Sequence, residues 1–134
     1  MDGNDAPIIL IVDDEPVLRL LLAAELEDAG YRTLQAADGQ DAIDVLRTAQ
    51  PTLVLLDLGM PNLDGWGFLA LYRKTTGGSL PIVVTSVDLP PAATIRLREL
   101  GVNHFLTKPI DPALLVIRIE QALAEAALPA GATF

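Results

Sequence analysis

Two textures alternate along the chain. Unbroken apolar runs rich in Ile, Val and Leu occur at 7–12 (PIILIV), 52–57 (TLVLLD) and 81–86 (PIVVTS). Strands covered on both faces require runs of this kind. Weaker segments of similar length, 31–37 (YRTLQAA) and 103–108 (NHFLTK), complete a set of five. Between them, apolar residues recur at helical spacing. After Glu15-Pro16, the residues Val17, Leu18, Leu21, Leu22 and Leu26 are expected on one buried face, with Gly30 as the stop. Ala42, Ile43 and Leu46 mark a second helix that ends before Pro51. A third follows Asp64, a suitable N-cap, and stops at Gly77-Gly78, while a fourth precedes Gly101. The fifth is the most apolar, and Asp111-Pro112 suits its cap and first residue.

Five strand–helix repeats with short connections predict an α/β fold, a doubly wound parallel sheet covered by helices on both faces. Right-handed crossovers leave few topologies, and five strands in the order 2-1-3-4-5 is the common one. Residues 1–134 are expected to form a single domain with its core at about 7–127 and short flexible termini. The tail LPAGATF is expected to be frayed or to begin a linker.

Composition narrows the function. The formal charge is −9, and the nine basic residues form no stripe, which argues against direct nucleic-acid binding. Cysteine is absent, excluding disulfides and thiolate metal sites and fitting a reducing compartment. No apolar run reaches the ~20 residues of a membrane span, and MDGNDAP lacks the features of a signal peptide, so a cytoplasmic, membrane-free protein is expected.

In open sheets of this kind ligands bind beyond the carboxyl ends of the strands, where strand order reverses. The first strand ends at Asp13-Asp14, the third at Asp57, the fourth at Thr85-Ser86 and the fifth at Lys108. Converging carboxylates repel one another unless a positive group sits among them. Hard oxygen donors of this number suit Mg²⁺, and the carbonyl of Gly59 offers a further oxygen. Another reading is that Asp14 caps the first helix with Glu15 on its dipole, and that Asp57 forms a turn. Lys108 precedes Pro109, whose turn could contain a cis bond, and its ammonium can hold a phosphoryl oxygen beside the Ser86 hydroxyl. Together these groups suit phosphoryl transfer onto the Asp57 carboxylate. Asp38-Gly39 and Asp64-Gly65 are expected to be structural caps and turns.

With DD at 13–14, DLGMPNLDG at 57–65, a hydroxyl ending the fourth strand and FLTKP at 105–109, the sequence resembles the receiver domain of two-component response regulators. The likeness runs over about 7–127 and implies a flavodoxin-like (βα)5 fold. It implies Asp57 as phosphoacceptor, Asp14 as direct and Asp13 as outer-shell Mg²⁺ ligand, Gly59 as carbonyl ligand, and Lys108 as the phosphoryl-binding cation. The switch hydroxyl is Ser86 rather than Thr85 by the family's spacing from the lysine, and Phe105 is the aromatic switch residue. The implied partners are a sensor histidine kinase or phosphotransfer protein, with an output partner or homodimer on the face of the fourth helix, fifth strand and fifth helix. Gly59, Val87 and Phe105 depart from common family choices, and Val87 could crowd access to Asp57. The expected product is a reversible signal, not a turnover enzyme's. The alternative is a pseudo-receiver that binds proteins without phosphorylation. An aspartyl-phosphate phosphatase wants an acid where Gly59 stands, and a dinucleotide-binding domain wants a glycine-rich loop that the first strand lacks.

Overall fold

The computed structural model describes residues 5–60, 63–76 and 78–127. Its elements alternate as β1 (Ile8–Val12), α1 (Pro16–Asp28), β2 (Arg32–Ala36), α2 (Gly39–Thr48), β3 (Leu53–Asp57), α3 (Gly65–Thr76), β4 (Ile82–Ser86), α4 (Pro91–Glu99), β5 (His104–Thr107) and α5 (Pro112–Ala126). The strands pair in parallel in the order β2-β1-β3-β4-β5, as the alternation predicts. Gly77 and the tail LPAGATF lie outside the described residues.

Alternation within each strand divides the core into two layers, because successive side chains leave opposite faces. Leu10, Val12, Val54, Leu56 and Val84 pack with Ala42 and Ile43 of α2, Phe68, Leu69 and Tyr72 of α3, and Leu97 of α4. Ile9, Ile11, Leu53, Leu55, Val83 and Leu106 pack with Leu22, Ala23 and Leu26 of α1 and Leu115, Ile119 and Ala122 of α5. Positions 13, 57 and 108 continue the parity of this second layer at the strands' carboxyl ends.

Several helix ends follow local chemistry. Asp38 caps α2 by accepting from the Asp41 N–H, Asp64 accepts from the Gly67 N–H at 2.8 Å, and Asp111 accepts from the Ala113 N–H. Gly30 adopts φ +98° just after α1, a conformation glycine reaches without a Cβ penalty.

α1 departs in part from its expected orientation: Leu22 and Leu26 are buried and Leu18 packs against the core as expected, but the face is rotated away from Val17 and Leu21. Val17 and Leu21 are 70% and 60% exposed, with Leu20 at 62%, while Leu22, Ala23 and Leu26 are buried. The helix is apolar around most of its circumference, so spacing alone does not select a stripe. Packing selects the side that carries the small Ala23.

Candidate functional site at the carboxyl edge of the sheet

Asp13 is held at every polar atom. Its N–H donates to the Ala36 carbonyl at 3.1 Å, carrying the β1–β2 ladder one residue past β1. Its Oδ1 accepts from the Glu15 N–H at 2.9 Å, and its Oδ2 accepts from Lys108 Nζ at 2.9 Å. Its main-chain carbonyl accepts from Arg19 Nη1 at 2.7 Å. Asp14 does not cap α1: the N-cap is Glu15, without a side-chain cap bond, and Pro16 follows it. Among the described residues the Asp14 carboxylate makes no hydrogen bond or ion pair. The capping alternative for Asp14 therefore falls, and its oxygens stay available.

Asp57 closes β3 and is 4% exposed. Its Oδ1 accepts from the Gly59 N–H at 3.2 Å, and its Oδ2 lies 3.2 Å from Lys108 Nζ. Carboxylate oxygens of Asp13, Asp14 and Asp57 lie within 4.8 Å of one another. Burial pushes the Asp57 carboxyl above its ordinary range; the Gly59 amide and Lys108 pull it down without cancelling the effect, and Asp13 adds to the rise. Burial also works to lower the Lys108 ammonium, but hydrogen bonding and charge from Asp13 and then Asp57 outweigh it, so its pKa stands above the ordinary lysine value. Glu15 Oε1 is 3.9 Å from the same ammonium, on the exposed rim.

The backbone that delivers Asp57 needs glycine nearby. A Cβ on Gly65 would lie 2.6 Å from the Asp57 carbonyl oxygen and 2.6 Å from Leu58 Cα. One on Gly39 would lie 2.6 Å from the Leu63 carbonyl oxygen, to which the Gly39 N–H donates. Both Asp-Gly pairs are thus caps, as expected, and their glycines are also close-approach points.

The remaining candidates surround this cluster. Gly59 is exposed, and a Cβ there would meet nothing within 4 Å. Thr85 pairs in register with Asp57, whereas Ser86 is one residue further and pairs with Thr107. Both hydroxyl residues are buried, and Ser86 Oγ donates to the Asp88 carbonyl at 2.9 Å and accepts from the Asp88 N–H at 3.3 Å. Val87 is 79% exposed and lines a shallow depression with Glu15, Leu18, Lys108 and Ile110. Phe105 packs partly buried against the α3–α4 layer, with the Arg98 guanidinium 5.6 Å from its ring centroid. The Lys108–Pro109 bond is cis. Pro61 lies outside the described residues. Sequence reasoning missed Arg19; a basic residue one turn into the helix that follows an acidic strand end was the available signal.

The chain has extensive relatives. A family model described as "Response regulator receiver domain" matches residues 9–120. The "Probable transcriptional regulator ycf27" of Porphyridium aerugineum is 36% identical over 115 residues, covering 86% of this chain and 47% of that protein. The "Sensor histidine kinase RcsC" of Salmonella typhimurium is 38% identical over 109 residues, covering 81% of this chain and 11% of that protein. The chain thus spans about half the length of the first relative and about a tenth of the second. The receiver domain of the Francisella response regulator 1452 superposes with a TM-score of 0.82 at 27% identity, covering 89% of this chain and 98% of that one. An acid cluster at the carboxyl edge of a 2-1-3-4-5 sheet, and a family match over nearly all of that sheet, lead to one conclusion: the chain belongs to the receiver domain family of two-component response regulators.

Proposed function

We propose that the chain is a phosphorylatable switch that takes a phosphoryl group on Asp57 from the phosphohistidine of a sensor kinase or phosphotransfer protein. The observation that carries this reading is a buried carboxylate with Lys108 Nζ at 3.2 Å and two further acids within 4.8 Å. An Asp57 oxygen attacks phosphorus, the P–N bond breaks, and its electron pair leaves on the imidazole nitrogen. An acyl phosphate results.

The donor set fits a hard divalent cation: carboxylate oxygens only, two of the residues buried and Asp14 partly open to solvent. Asp14 and Asp57 would hold Mg²⁺ with the Gly59 carbonyl, and Asp13 would orient the shell. Bound there, Mg²⁺ supplies charge neutralisation for the transferring phosphoryl. Lys108, beside the Asp57 carboxylate, would bind a phosphoryl oxygen. Ser86 leaves Asp88 to reach the modified Asp57, and Phe105 follows, remodelling the α4-β5-α5 face for an output partner or a second copy. The added charge of roughly −1.5 to −2 drives that change. On this reading the chain assists its own phosphorylation and dephosphorylation and is not a turnover enzyme. Its strong acidity supports a protein partner over nucleic acid, and a cytoplasmic location follows from a kinase partner; no helix among the described residues is long and apolar enough to cross a membrane.

The test is intact mass after incubation with Mg²⁺ and acetyl phosphate. One phosphoryl group is expected, dependent on Mg²⁺ and absent in Asp57→Asn. A gain that survives in the variant would refute the acceptor. No gain in a folded protein that also ignores Mg²⁺ would favour a phosphorylation-independent binding module.

A further inference from the structure

Arg19 sits one turn into α1, and its N–H donates to the Glu15 carbonyl in the helix's first turn. Helical side chains lean toward the N-terminus, so its guanidinium returns over that turn to the end of β1. There Nη1 donates to the Asp13 main-chain carbonyl at 2.7 Å, while Nε donates to Gln35 Oε1 of β2 at 3.2 Å. A guanidinium beside an acidic strand end would be expected on a carboxylate. This one is spent on a peptide group.

The peptide between Asp13 and Asp14 is planar, so a partner that holds the Asp13 carbonyl also orients the Asp14 N–H and Cα. The preceding plane is held by the Asp13 N–H on the Ala36 carbonyl. The following plane is held by the Glu15 N–H on Asp13 Oδ1. Three consecutive planes are therefore pinned, and the residue between the last two is Asp14, whose carboxylate is free among the described residues. The backbone is hydrogen-bonded on every plane where the side chain is left available.

We infer that Arg19 is a positioning residue for the cation-binding carboxylate of Asp14, acting through the Asp13–Asp14 peptide plane and not through charge. The inference rests on the proposed Mg²⁺ site and makes a distinction of sign. Acting as a charge, Arg19 repels a divalent cation, and its removal would tighten binding. Acting as a clamp, it pre-orients Asp14, and its removal weakens binding.

The experiment is calorimetric titration of the full chain with MgCl₂, alongside the melting temperature of each metal-free variant. Arg19→Met, which keeps bulk but loses charge and donors, is expected to raise the Mg²⁺ Kd about tenfold, the scale of outer-shell losses at metal sites. Arg19→Lys, with one donor able to reach the carbonyl, is expected to fall between. Unchanged or tighter binding in Arg19→Met would overturn the inference, including when its melting temperature drops. If Arg19→Met does not fold, Gln35→Ala serves instead: it leaves the guanidinium unsupported at Nε and is expected to raise Kd in the same direction, by less than Arg19→Met. An unchanged Kd there would equally overturn the clamp. A wild-type chain with no Mg²⁺ affinity would remove the proposed cation site itself, a failure distinguishable from that of Arg19.

Discussion

Leu55 and Asp57 stand two residues apart on β3 with the same side-chain parity, and they are 1% and 4% exposed. One belongs to the layer formed with α1 and α5; the other ends that layer beside Lys108. Equal burial has opposite consequences. For Leu55, removal from water is the source of stability. For Asp57 it is a cost, visible in a carboxyl pushed upward by burial despite an adjacent ammonium and amide. The fold supplies the apolar layer that makes a site possible, and the site consumes part of the stability that layer provides.

Substitution at each position sharpens the contrast. Leu55→Ala is expected to lose about 2–5 kcal/mol of unfolding free energy, the transfer and cavity loss typical of a buried leucine. Chemical denaturation measures it, and a loss below about 1 kcal/mol would show a layer loose enough to collapse around the gap. Lys108→Met comes next, at about 2–4 kcal/mol near neutral pH, because it leaves Asp13 and Asp57 buried without their shared cation. Lys108 has a raised pKa, so its contribution is fully present below its unfolded value of 10.5 and is lost as pH rises through the higher folded value. The difference between wild type and Lys108→Met should therefore close at strongly alkaline pH. It should also narrow at acid pH, as Asp57 takes up its proton.

Asp57→Asn has the opposite sign. A carboxyl raised above its unfolded 3.8 keeps its proton longer in the folded chain, so stability falls as pH rises from 3.8 through the folded value. At neutral pH the charged group is a cost that the amide removes. The variant is expected to melt higher than wild type by roughly 2–6 °C without Mg²⁺. That advantage should vanish as pH falls below 3.8, where both states of wild type are protonated. Added Mg²⁺ should raise the wild type more than the variant. A variant that melts lower at every pH would mean that its lost bond to Lys108 outweighs burial.

The same contrast explains what the sequence could disclose. Strands β1, β3 and β4 are buried on both faces, so their runs are apolar at both parities and easily recognised. The polar residues that end them stood out for that reason, and Asp13 and Asp57 meet Lys108, just after the weaker β5, as the sheet order requires. Whether Asp14 caps α1 was not legible, because capping depends on which oxygen meets which N–H. Here Asp13, not Asp14, takes the Glu15 amide. Arg19 escaped for a related reason: its place one turn into α1 signals a cation near the strand end, but its target is a main-chain carbonyl, which residue types do not specify. The exposure of Val17 and Leu21 on α1 escaped because Leu20, Leu21 and Leu22 present leucine to three directions, and only tertiary packing chooses among them.

The smallest effect is expected on that outer face of α1, and it reverses the contrast once more. Leu20 is apolar but 62% exposed, so Leu20→Gln should change unfolding free energy by no more than about 0.5 kcal/mol. A larger loss would show that the face is covered in solution and that the exposed leucines are not merely the surplus of an apolar helix. Sedimentation velocity of the wild type and Leu20→Gln separates the causes. If the wild type alone shows a concentration-dependent shift to a larger species, the cover is a second copy of the chain. If both sediment as monomers and the stability loss persists, Leu20 supports α1 within one chain. A neutral substitution with no change in sedimentation leaves Leu20 free and outside the energetics of the fold, the counterpart of an Asp57 that is buried at a cost.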